Sequence, residues 1–443
     1  MVQTTVAEST SQSSVDTAKK GTLPENRHGR RRPDLRGKSL AEQDALLAPD
    51  EDQSKVGGKK SDAKGPHDAR RDKGGPARKP AYPPDVQKVL ERWPDGVAMS
   101  FYPDYEKGSK AYAHGEFVKQ ATSQAKAIGA VSLVGGKLVL GKTHAITDQA
   151  TIIEQANAVS AYLASVLSPE DRAADRHKLA QLHIYGHGWG TGMSTNGHKQ
   201  KGQKGNMSSG GIEKFVAAIS GALRSDVNVA LLACSTGKDM DKKSKTKDID
   251  EVDDPADKKP QKGKKPRENG EGSFADKFRD ELVEQGHKGA NVGGHMTAGH
   301  MSGNPLGRYF TGEGAAATFF DTIFPQSWRI AEADKVGLSE EKFGKQLHKW
   351  FVKYTSFWRK GKLGKGKRAK KLPKGAEKLD MGYVMMVDPT QAKEIFRAAW
   401  DHAGGNFNDL SHVPEVDWSK LGVHGADSAT EARTEGRGQL IDL

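Results

Sequence analysis

Residues 227–233 form the most apolar short run of the chain, and they constrain the fold more than any other feature. A strand that is apolar at nearly every position has no solvent face. It must lie inside a sheet covered on both sides. Helices that cross between parallel strands supply that cover. The flanking pattern agrees. Residues 97–102, 179–185, 290–296 and 383–387 read as further strands, and 130–140 as two short β-type runs around Gly135-Gly136. Residues 114–128, 147–167, 211–223, 273–285 and 390–403 read as helices, with Ser273 placed to cap one of them. This alternation implies an α/β core with parallel strands and right-handed crossovers, spanning residues 85–323 and closing with a last strand and helix over 379–404.

The rest of the 443 residues read differently. Only 35% of the chain is hydrophobic, 28% is charged, and the mean hydropathy is −0.72. Such chains carry segments that bury too little apolar surface to offset their ordering entropy. Residues 1–84 are rich in Ser, Lys, Gly, Asp and Pro without periodicity, and are expected to be disordered. One island interrupts them at 39–49, where Ser39 and Glu42 have capping-box spacing and Pro49 ends any helix. Residues 238–272 are dense in Lys and Asp, with prolines, and read as a solvated linker inside the core. Residues 324–378 form a basic, aromatic insertion with a helix at about 339–358. Its aromatic stripe is expected to pack on its own domain rather than on a membrane surface. Residues 405–443 form a tail with little pattern.

The net charge of +12 and pI of about 9.3 favour anionic partners in general. Much of the excess sits in Lys-rich linkers, and no nucleic-acid module pattern occurs, so nucleic acid is not the expected partner. The single cysteine, Cys234, permits no intrachain disulfide and requires no oxidising compartment. The first residues lack the apolar core of a secretory signal, and no run approaches the roughly 20 apolar residues of a membrane span. The expectation is a chain made soluble in a cytoplasm and, where secreted or injected into a target cell, exported without a signal peptide.

Two of the apolar runs end in reactive residues. The first runs into Gly186-His187-Gly188, the second into Ala233-Cys234-Ser235. Functional groups of open parallel sheets gather beyond the carboxyl ends of the strands. Neighbouring strands lie roughly 4.8 Å apart, so a His past one and a Cys past the next come within reach of each other. One helix separates the two runs, as expected of neighbours. A thiol with a pKa of about 8.5 needs a base near neutral pH, and an imidazole supplies one. The N–H groups of Gly188 and Cys234 are candidate oxyanion donors. Taken singly, such a cysteine is most often a small buried hydrophobe and such a histidine a solvated loop residue. Their joint placement favours chemistry.

On these residues the chain resembles the caspase-like cysteine peptidases, the superfamily of caspases, gingipains and clostripain. There, an apolar strand ends in His-Gly, a helix follows, and a second apolar strand ends in Ala-Cys. His187-Gly188 and Ala233-Cys234 stand in that order. The resemblance implies a three-layer sandwich around a mostly parallel sheet, amide hydrolysis of a protein or peptide substrate, His187 as general base and Cys234 as nucleophile. No cofactor or metal is expected, and the alternative readings are a non-enzymatic cargo or interaction protein of the same fold and a basic nucleic-acid-binding effector. The charged linker at 238–272 occupies the place of the caspase linker. The caspase pentapeptide around the nucleophile is absent, so specificity for Asp does not carry over. The stretch from Gly293 to Pro305 should border the same cleft, with His295, Thr297 and His300 as walls of the substrate pocket. His187, His295 and His300 lack the carboxylate or thiolate partner that a metal site usually needs.

The 39–49 island, through Ser39, Glu42, Gln43 and Pro49, and the stretch from Gly294 to Phe310 also resemble segments of bacterial proteins loaded into extracellular contractile injection systems. That resemblance implies an effector or toxin whose N-terminal region serves for packaging into the particle.

Overall fold

The structure is a computed structural model. It describes residues 82–103, 114–195, 206–208, 210–238, 270–297, 304–314, 316–359, 362–363, 370–371 and 380–423. All of them belong to one of two compact units, Arg78–Leu443. The 39–49 island, most of the charged linker and His300 lie outside the described residues.

The chain enters through helix α1 (Pro84–Arg92), strand β1 (Val97–Pro103) and helix α2 (His114–Ile128). A hairpin, β2 (Val131–Val134) and β3 (Lys137–Leu140), precedes β4 (His144–Ile146), α3 (Gln149–Val166), the short α4 (Pro169–Ala173) and β5 (Leu179–Tyr185). A small antiparallel sheet follows, β6 (His187–Trp189), β7 (Gly192–Ser194) and β8 (Asn206–Ser208). Then come α5 (Ile212–Ile219), β9 (Leu223–Leu232), α6 (Phe274–Glu284), β10 (Asn291–His295), β11 (Gly307–Thr311) and β12 (Ala316–Thr318). The helices α7 (Phe319–Ile323), α8 (Gln326–Lys335), α9 (Glu340–Arg359), α10 (Met381–Val387) and α11 (Pro389–Ala403) complete the core.

Seven strands form the central sheet in the order β12-β11-β10-β9-β5-β1-β4. The run from β10 to β4 is parallel, so the fold is α/β with a mostly parallel sheet. The exceptions lie at one edge: β11 runs antiparallel to β10, and β12 to β11. Only residues 296–306 join β10 to β11, too few for the crossover of about a dozen or more residues that a parallel return requires.

The run 383–387 is helical, not the last strand expected of it. All seven residues of α10 are buried. Seven consecutive apolar residues fit a buried helix as well as a buried strand, and periodicity does not separate the two. Asp380 decides locally, because its side chain caps the N–H of Gly382 (2.8 Å). Gly293 helps globally, because a Cβ there would overlap the Met386 sulfur, and its absence lets the Met386 side chain of α10 lie directly on β10.

Adjacent residues of β10 separate the two faces: Gly293 meets α10, whereas Gly294 meets Thr236 and Ala275. The Gly294 face carries α6 and α5, joined by the Phe215–Phe278 contact, and α3, whose Asn157 bonds Ala218 O (3.2 Å). The opposite face carries α10 and α2, and it is polar. Gln181 Nε2 donates to Gly422 O (2.5 Å) and Val387 O (3.4 Å). Its Oε1 therefore accepts from His183 Nε2 (2.9 Å), which leaves His183 Nδ1 to accept the Tyr383 hydroxyl (3.2 Å). Tyr185 bonds Gln124 of α2. These strand residues are buried but satisfied, as buried polar groups must be.

Helix α1, at the start of the span expected to be the core, packs Val86 and Val89 into it. The aromatic stripe of α9 is consumed by the protein itself: Trp350 meets Trp400, and Phe351 meets Phe396. Residues 405–423, expected to be patternless tail, form a strap. Trp350 Nε1 bonds Asp409 O (2.8 Å), Tyr354 bonds His412 O (3.1 Å), and Gly422 N bonds Asp388 Oδ2 (3.0 Å). Among the described residues no helix is long and apolar enough to cross a membrane.

Candidate active site

Strands β5 and β9 are direct neighbours, and their register pairs Tyr185 with Leu232. The ladder extends one step further, from Gly186 N to Leu232 O (3.3 Å). His187 and Cys234 each stand two residues beyond a register pair, at the carboxyl edge of the sheet. Their neighbouring backbones touch. A Cβ on Gly188 would overlap the Cys234 carbonyl oxygen and lie 3.0 Å from its nitrogen and 2.8 Å from the Ala233 methyl. Only glycine permits this approach. The His187 ring is half-buried and meets Phe117 of α2 edge-on, with centroids 5.0 Å apart at 83°. Cys234 is partly exposed.

Beyond Cys234 the chain turns sharply. Ser235 has φ +57, one of two non-glycine residues with positive φ among those described. The turn is held from four sides. Ser235 N donates to Thr297 O (3.2 Å) and Gly237 N to His295 O (2.8 Å). Ala275 N, at the start of α6, donates to Thr236 O (2.9 Å). Arg308 Nη1 donates to Gly237 O (3.3 Å). The first helical N–H of α6, from Phe274, reaches Gly190 O (2.9 Å) in the turn that closes β6, and Ser273 caps Asp276 N (3.2 Å). The N-terminus of α6 thus uses its unpaired donors to tie the His187 and Cys234 segments together. Arg308 also abuts Gly270, where a Cβ would overlap its guanidinium. Both ends of the charged linker therefore meet at this one buried cation.

Of the pocket residues expected from sequence, Thr297 lies beside the Cys234 turn, and its Oγ1 accepts from Asn304 Nδ2 (3.2 Å). His295 serves the turn through its carbonyl, while its ring is fully buried on the α10 face. No group of three or more His, Cys, Asp or Glu gathers as a metal site among the described residues. Sequence reasoning assigned no role to Phe117, Ser235, Asn304 or Arg308. The last two stood in the quoted stretch after β10, but nothing in their spacing pointed back to Cys234.

Burial holds His183 and His295 neutral. It pushes His183 down to about 3 and His295 down to about 4, from an ordinary 6.5. Neither ring nitrogen of His295 has a partner among the described residues. The unfolded chain takes up a proton near pH 6.5 that the folded imidazole refuses. Stability linked to His295 is therefore complete above pH 6.5 and lost as pH falls toward about 4, by about 1.4 kcal/mol per pH unit. The urea midpoint of the native protein is expected to fall from pH 6.5 to about 5 more steeply than that of His295→Leu. Equal slopes would show that His295 stays accessible to protons.

No family model, no curated protein and no solved structure matches this chain.

Proposed function

We propose that the protein is a caspase-like cysteine endopeptidase, with Cys234 as nucleophile and His187 as general base. The observation that carries the reading is the adjacency of β5 and β9, with the Gly188 and Cys234 backbones in contact beyond them. The order of elements supports it up to β10. It departs at the end, where the resemblance implies a last strand and the chain has α10.

The Cys234 sulfur attacks the substrate carbonyl carbon as its proton passes to His187. The N–H groups of Gly188 and Cys234 are the proposed donors to the resulting oxyanion. Ser235 N–H does not serve, because it is bonded to Thr297. The tetrahedral intermediate collapses with cleavage of the C–N bond, and His187 returns the proton to the leaving amine. Water then adds to the thioester and gives a proton to His187. The C–S bond breaks, the acid departs, and the thiol re-forms.

The test is a peptidyl acyloxymethyl ketone, which alkylates an activated thiol in a peptide-binding cleft. Mass spectrometry of the full chain should find one adduct, on Cys234, which competing peptide suppresses. A chain that stays unmodified under conditions that label a known cysteine peptidase is a folded protein without this activity. Loading into an injection particle is a separate proposal, carried by the match at residues 39–49 and tested by deleting them.

A further inference from the structure

The turn that presents Cys234 rests on a residue to which sequence reasoning assigned no role. Ser235 is left-handed at φ +57. For a residue other than glycine that conformation costs on the order of 1–3 kcal/mol and persists only when its surroundings impose it. Ser235 is held on both sides: its N–H donates to Thr297 O (3.2 Å) and its carbonyl accepts from Lys238 N (3.2 Å), and of the two only the first ties it to a distant part of the chain. Thr297 is held in turn by Asn304. The Asn304 Oδ1 accepts from Leu306 N (3.0 Å), which fixes the amide so that Nδ2 donates to Thr297 Oγ1 (3.2 Å). Asn304 is buried, and its backbone packs against Gly382 at the start of α10, where a Cβ would lie 2.8 Å from Asn304 O. Met296 N closes the base of the same loop on Leu306 O (2.9 Å).

We infer that Asn304 is a positioning residue for the nucleophile, acting through Thr297 to set the backbone of Ser235 and so the direction in which Cys234 offers its sulfur. The inference rests on reading Cys234 as the nucleophile. It adds a coupling: the wall of the cleft at Thr297 and the nucleophile turn move together.

Because the chain has one cysteine, thiol alkylation reads a single atom. The rate with iodoacetamide is measured from acid to alkaline pH on the full-length native protein, Asn304→Ala, Thr297→Val and Thr297→Ser, beside kcat and KM for a peptide substrate. Asn304→Ala and Thr297→Val should displace the alkylation pH profile and lower kcat about tenfold, with KM changed less than about threefold. Thr297→Ser keeps the hydroxyl and should stay near the native values. Native profiles in both Asn304→Ala and Thr297→Val overturn the inference, as does a Thr297→Ser chain as impaired as Thr297→Val. If the native protein cleaves no peptide, the peptidase reading fails, and the alkylation profiles alone decide the positioning role. If Asn304→Ala does not fold, the Thr297 pair decides.

Discussion

The His187→Ala protein is expected to hydrolyse peptides about 10³- to 10⁴-fold more slowly than the native chain, with its unfolding midpoint nearly unchanged. The size of the effect follows from two proton transfers. Without a base, a thiol with a pKa of about 8.5 is only a few per cent ionised at neutral pH. Without an acid, the leaving amine departs as an unstabilised anion. Raising the pH restores the first function and not the second. Alkylation of Cys234 in His187→Ala should therefore recover in alkaline buffer while peptide hydrolysis does not. The stability expectation rests on the His187 ring being only half-buried, at an edge-on contact with Phe117. Hydrolysis within about threefold of native would remove His187 from the chemistry.

Gly188→Ala should damage both the fold and the activity. The added methyl would collide with the Cys234 carbonyl and crowd the Ala233 side chain at 2.8 Å. Neither neighbour is the far end of a flexible side chain, so β6 must move away from β9. Overpacking of that kind costs about 1–3 kcal/mol. A displacement of about 1 Å between reacting groups costs about 100-fold in rate. Urea unfolding and kcat/KM on the same preparation check the two together. A variant with native stability and native kcat/KM contradicts the contact between the two strand ends.

The parts of this fold that were legible in the sequence are those whose burial writes a one-dimensional pattern. Strands β5 and β9 lie between two helical layers, and their runs are nearly unbroken. Helix α6 announced itself through Ser273 and its spacing. The same logic misassigned α10, because a helix buried on every side loses the 3.6-residue period that marks helices. It missed β11 because Tyr309 and Phe310 are both buried, so no alternation survives, and because the strand carries the buried Arg308. The strap at 405–423 is held partly through its own carbonyls, at Asp409 and His412, and partly by isolated aromatics, Phe407 on Trp400 and Trp418 on Trp358, which are too widely spaced to write a period.

The site was legible to the same depth. His187 and Cys234 could be named because each follows an apolar strand and the connection between the strands is one helix. Their support could not. Phe117, Asn304 and Arg308 reach the two residues, and Thr297, expected only as a pocket wall, holds the Ser235 N–H, through contacts between distant parts of the chain, and such contacts belong to the fold rather than to any local pattern. The left-handed backbone at Ser235 is equally silent, since serine does not advertise positive φ as glycine does. Functional sites are where local rules are expected to break.

The most direct measurement is a crystal structure of the full chain after reaction with a peptidyl ketone inhibitor. A continuous bond from Cys234 Sγ to the inhibitor, with a ring nitrogen of His187 within hydrogen-bonding distance of the reacting centre, is the predicted result. An imidazole directed to the opposite face of the sheet, or separated from the sulfur by more than one bridging water, would contradict it.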